Sequence, residues 1–174
     1  MAEQMTLDLG GTEVKKTPRS KRTPLYQMRE AIAVRLQIVR DSSVPYTGDD
    51  LSNPEAVAKL LSAFLAGADR EHFVAISLDP KNKVAAVNTV SIGTLTSTLV
   101  HPREVFKHAV RANAHAVIVG HNHPSGDPTP SKEDREATRR LKAAGEILGI
   151  ELLDHVVVAD GGRYKSLRQL GCWS

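Results

Sequence analysis

A chain of 174 residues, 41% hydrophobic and 25% charged, is long enough to fold as one domain around its own core. Its 4% aromatic content argues against a row of base-stacking platforms, and its formal net charge of +3 is only a mild basic bias. The single cysteine, Cys172, excludes an internal disulfide and a cysteine-rich zinc knuckle, and no apolar run reaches the roughly 18 residues of a spanning helix, so a cytoplasmic protein off the membrane is expected.

Residues 1–24 lack apolar periodicity and carry a basic cluster, Lys15, Lys16, Arg19, Lys21 and Arg22, interrupted by Pro18 and Pro24. This pattern predicts a disordered basic arm, a solvated tail whose other possible use is contact with nucleic acid. The folded part is expected over 25–174. Ile32, Val34, Leu36 and Ile38 alternate with Ala33, Arg35 and Gln37 as in a half-buried strand, although 26–39 also fits a helix. Residues 43–50 are rich in turn formers. Ser52 or Asn53 can then cap a helix with Pro54 in its first turn, its apolar face made by Val57, Leu60, Leu61, Phe64 and Leu65.

A strand is expected at His72–Leu78, a turn at 79–82 and a hairpin partner at Lys83–Ser91. Gly93 breaks that run before a further segment, Thr94–Val100. Pro102 opens a second helix with Val105, Phe106, Ala109, Val110 and Ala114 on one side, and Ala116–Gly120 reads as a buried central strand. A third helix is predicted from Ser131 to about Leu148, its buried stripe made by Ala137, Leu141, Ala144 and Leu148. It stops at Gly149, before a strand at Ile150–Ala159, a turn at Gly161-Gly162 and a short finishing segment from Tyr164. Alternating strands and helices predict an α/β domain, a mixed sheet flanked by helices.

The segment richest in chemistry is Gly120-His-Asn-His-Pro-Ser-Gly-Asp-Pro-Thr-Pro-Ser-Lys-Glu-Asp134. It follows a buried strand, where open α/β sheets place their ligands. Residues two apart in extended chain point the same way, so His121 and His123 can present both imidazoles to one point. A proline-rich loop then returns to a helix that carries Asp134 in its first turn. Two imidazoles and a carboxylate with one open position are a usual catalytic arrangement for a single Zn²⁺, which brings the ionisation of a bound water to about pH 7. The same residues have a plainer use, because Ser131-x-x-Asp134 also matches a helix capping pattern.

This segment resembles the JAMM motif of JAB/MPN metalloproteases, His-x-His-Pro followed by Ser-x-x-Asp, and is most similar to its bacterial RadC-type branch. Arg70-Glu-His-Phe73, Ser91-Ile-Gly-Thr-Leu95, Val100-His-Pro-Arg-Glu-Val-Phe106 and Leu153-Asp-His155 extend the likeness over about residues 30–171. The resemblance implies a helix-wrapped α/β sheet of cytidine-deaminase-like architecture holding one catalytic zinc. It also implies a glutamate on the strand after the first helix that accepts a proton from the metal-bound water; Glu71 stands at that position, with Glu104 in reserve. Ser131 would donate to the oxyanion, or serve only as a helix cap. His155 either supports the metal ligands or is a buried structural histidine. Asn122 departs from the Ser or Thr of the eukaryotic JAMM proteins but matches the RadC-type form. Cys172 and Trp173 carry no catalytic expectation.

The resulting expectation is a zinc-dependent hydrolase of amide, peptide or isopeptide bonds acting on a peptide or protein. An accessory protein of DNA transactions, with nucleic acid held by the basic arm, is the alternative, and a metal-stabilised scaffold is a third. No long insertion suited to gripping a ubiquitin-like protein is legible, so deubiquitination is not carried over.

Overall fold

The computed structural model describes residues 37–39, 41, 43, 46, 51–93 and 100–173. The basic arm at 1–24, nearly all of the 26–39 segment, most of the 43–50 link and the segment beginning at Thr94 lie outside these residues. Among the described residues the elements are α1 (Pro54–Phe64), β1 (His72–Leu78), β2 (Val84–Ile92), α2 (Pro102–Arg111), β3 (Ala116–Asn122), α3 (Lys132–Leu148), β4 (Glu151–Ala159) and β5 (Arg163–Ser166). The strands form one mixed sheet in the order β2-β1-β3-β4-β5, in which only β3 and β4 run parallel. No described helix is long and apolar enough to cross a membrane.

Strand alternation divides the core in two. Val74, Ile76, Ile118, Val156 and Val158 point to one face and pack against Val57, Leu60, Leu61 and Leu65 of the α1 region. Phe73, Ala75, Val117, Val119 and Leu152 point to the other face, where α2 and α3 supply Val105, Phe106, Ala109 and Leu141. Of the two candidate caps of α1, Asn53 is the one used: its side chain accepts the Glu55 N–H at 2.9 Å, directly before Pro54.

Two expected core positions are exposed instead. Val110 is 55% and Leu148 50% accessible. The inner stripe of α2 is Val105, Phe106 and Ala109, and Val110 lies one further step round the helix. At the end of α3, Gly149 takes a left-handed conformation with φ +68°. The chain reverses there, the Ile150 N–H bonds to the Gly145 carbonyl at 3.0 Å, and Ile150 enters the core in place of Leu148.

Gly120 sets how closely α1 approaches the sheet. A Cβ at this position would lie 2.3 Å from Leu61 Cδ1 and 2.7 Å from the Val156 carbonyl oxygen. The leucine can rotate away, but the backbone of β4 cannot. Gly120→Ala is therefore expected to destabilise the fold by about 1–3 kcal/mol through overpacking. Urea denaturation checks this, and an unchanged midpoint would contradict the close packing inferred at this strand.

Candidate metal centre

β3 extends past the expected Gly120 and carries His121 and Asn122 within the strand. His121 is fully buried, its ring stacked on Phe73 with centroids 5.9 Å apart and planes 13° from parallel. His123, one residue beyond the strand, anchors its backbone N–H on the Val158 carbonyl of β4 at 2.9 Å. The two rings converge as period-two geometry requires, with Nε2 of His121 2.9 Å from Nε2 of His123.

Asp134 arrives from the other side on α3, and its two oxygens have separate partners. Oδ2 accepts the Ser131 backbone N–H at 2.7 Å and the Ser131 hydroxyl at 2.6 Å, while the Ser131 Oγ accepts the Asp134 N–H at 3.0 Å. This is a reciprocal capping box, so the plainer use of Ser131 and Asp134 is present. Oδ1 is buried, has no hydrogen-bond partner among the described residues and lies 3.3 Å from His121 Nε2. Capping thus uses one oxygen of the carboxylate and leaves the other available to a ligand.

The protons around this point show what it can hold. His123 Nδ1 is 2.7 Å from the Asp127 carbonyl oxygen, which can only accept, so Nδ1 carries the hydrogen and Nε2 is left as a donor of electrons. His121 Nε2 and the orphaned Asp134 Oδ1 face the same place, and the three candidate ligand atoms lie within 4.8 Å of one another. Electron pairs gathered in a buried space without matching protons are costly unless positive charge sits among them. Two imidazole nitrogens and a carboxylate oxygen form a donor set that fits a divalent metal ion.

Glu71 lies immediately before β1, half-buried, with its Oε1 shielded from solvent and its backbone carbonyl accepting the Gly93 N–H at 2.8 Å. The β1–β3 ladder pairs Phe73 with His121, and continuing that antiparallel register sets Glu71 opposite His123. Asn122 makes this continuation physical. Its Oδ1 accepts the His72 N–H at 2.8 Å and its Nδ2 donates to the Arg70 carbonyl at 2.9 Å, so one amide grips the backbone on both sides of Glu71. The reserve candidate Glu104 is instead engaged with Lys107 and Arg103 on α2.

His155 of β4 is fully buried behind the ligands. Its Nε2 is 2.9 Å from His121 Nδ1, and its Nδ1 is 2.7 Å from the Thr138 hydroxyl. Thr138 and the grip of Asn122 were not singled out by sequence reasoning. For Thr138 the available signal was its place one helical turn after Asp134, on the same side of α3.

Burial works to raise the pKa of Asp134. The close contact with the His121 ring and the hydrogen bonds from Ser131 outweigh it and hold this carboxyl well below its usual range. The His155 ring moves well below the usual histidine range, because complete burial disfavours its charged form.

Residues 51–172 match the model of the RadC-like JAB domain. The chain is similar to the UPF0758 protein STH371 of Symbiobacterium thermophilum, 57% identical over 133 residues that cover 76% of this chain and 56% of that relative. It is similar to a UPF0758 protein of Desulfitobacterium hafniense, 51% identical over 130 residues, covering 75% and 57% respectively. The UPF0758 protein ABC2615 of Shouchella clausii is 44% identical over 159 residues, covering 91% and 68%. The chain thus spans little more than half the length of the first two.

The depressed His155 pKa has a signed consequence for the metal-free protein. The unfolded chain takes up a proton near pH 6.5 that the folded chain refuses. Stability from this residue is therefore present above that pH and is lost as the pH falls below it, by up to about 1.4 kcal/mol per pH unit. Urea midpoints measured from about pH 7.5 down to 5.5 should fall, and His155→Gln should reduce the slope. An equal slope in both proteins would show that the ring is not held neutral.

Proposed function

The chain belongs to the RadC-like JAB family, and on that footing we propose that it is a zinc-dependent hydrolase of amide bonds in peptides, isopeptide bonds included. The observation that carries the proposal is the convergence of His121 Nε2, His123 Nε2 and the otherwise unsatisfied Asp134 Oδ1. These three would hold the ion. When bound, zinc supplies Lewis acidity and brings the ionisation of water to about pH 7.

The remaining chemistry falls to the chain. Glu71 takes a proton from the attacking water and delivers it to the departing amine, a task for a partly desolvated carboxylate. Its shielded Oε1 and its register opposite His123 support this role. Asn122 holds the backbone around Glu71 in line with the histidines. Ser131 turns its hydroxyl from Asp134 Oδ2 toward the oxyanion as the tetrahedral centre forms.

An amide-hydrolysis screen on zinc-loaded protein, with metal content measured in parallel, tests these roles. His123→Ala should lose zinc and turnover together. Glu71→Gln should keep stoichiometric zinc while kcat falls at least about 100-fold, the usual reach of general acid–base catalysis. Equal turnover in Glu71→Gln and wild type would remove Glu71 from the mechanism. Asn122→Ala should also keep its zinc and lose up to about 100-fold in kcat, because a misplacement near 1 Å has that effect. Unchanged kcat in this variant would mean that the strand end needs no such grip.

A further inference from the structure

We propose that Thr138 sets which nitrogen of His121 is free to bind metal, acting through His155 along a buried, one-directional chain of hydrogen bonds. The inference rests on His121 serving as a metal ligand through Nε2. It concerns atoms away from the ion.

The direction follows from counting protons. Thr138 Oγ1 lies 2.7 Å from the Asp134 backbone carbonyl, four residues back on α3. A helical threonine readily donates to the carbonyl one turn earlier, and that oxygen can only accept. The hydroxyl proton is therefore committed to Asp134, and Oγ1 offers lone pairs alone to its other neighbour. His155 Nδ1, 2.7 Å away, must supply the proton of that contact. A neutral His155 then has a bare Nε2, and the 2.9 Å contact to His121 is made by the His121 Nδ1–H. His121 is left with its Nε2 electron pair directed at the candidate metal position. The opposite direction would leave Thr138 Oγ1 and the Asp134 carbonyl oxygen 2.7 Å apart with no proton between them. It would also place a hydrogen on His121 Nε2, where a ligand needs a lone pair.

His123 reaches the same state by one bond, from Nδ1–H to the Asp127 carbonyl. Each ligand ring is thus oriented by a chain that terminates on a backbone carbonyl. In the His121 chain that carbonyl belongs to Asp134, itself a candidate ligand. Thr138 and His155 are positioning residues. They touch neither substrate nor ion, and the partner on the unligated nitrogen is what fixes a metal-binding histidine.

Two measurements test the inference. Long-range ¹H–¹⁵N correlation spectra of the metal-free wild type should show the proton of His155 on Nδ1, the signals being assigned by their loss in His155→Gln. A proton on His155 Nε2 would overturn the proposal without need of any variant. In the second measurement zinc affinity is read by chelator competition. Thr138→Val, which keeps the shape and removes the oxygen, should weaken binding about 10–100-fold, and Thr138→Ser should restore it to within about 3-fold. Equal affinity in the valine variant and the wild type would also overturn it. Absence of zinc binding by the wild type would sink the metal reading, whereas zinc binding without amide hydrolysis would sink only the enzymatic one. The spectra decide the proton's position in either case.

Discussion

The structure depends on the convergence of two imidazole nitrogens and one carboxylate oxygen on a single place. Nε2 of His121 and Nε2 of His123 are 2.9 Å apart, and Asp134 Oδ1 lies beside them in the interior. Left alone, such a group would be driven apart or opened to water. It is held because its members come from stiff elements: His121 from a central strand, and Asp134 from the first turn of a 17-residue helix whose own cap occupies its other oxygen. Phe73 and His155 pack against the ring of His121 and block its retreat. The fold thus maintains a donor set that could hold a divalent cation.

The parts of this arrangement legible in the sequence are those set by local period. His-x-His directed both rings to one side because β3 continues through the first histidine, and Ser131-x-x-Asp134 announced a helix start that the structure contains. Apolar residue type was a weaker guide at helix edges. Val110 and Leu148 are as hydrophobic as their buried neighbours, but angular position and the reversal at Gly149 leave them at the surface. Long-range pairings were not legible. His155 is 34 residues from His121 and meets it only because β4 lies parallel to β3 with Val119 beside His155. Glu71 was named through family resemblance, since its alignment with His123 follows from a strand register that no local pattern encodes.

Asn122 shows how that register is carried beyond the end of regular structure. Between β1 and β3 the paired residues end at Phe73 and His121. One residue further on, the Asn122 side chain accepts the His72 N–H and donates to the Arg70 carbonyl, bonds of the kind a longer ladder would have made between main chains. A backbone continuation would have held Glu71 as firmly. Its next bond to the Arg70 carbonyl would have come from residue 124 in that register, and Pro124 has no N–H to give. The amide side chain supplies that donor itself, and the start of β1 stays fixed to the residue between the two histidines. A hydroxyl at this position is too short to imitate both ladder bonds, so the asparagine has a geometric purpose that its neutral, unreactive amide would not suggest. The two histidines lie at the end of β3 and Glu71 just before β1, and this single side chain ties their spacing to one sheet.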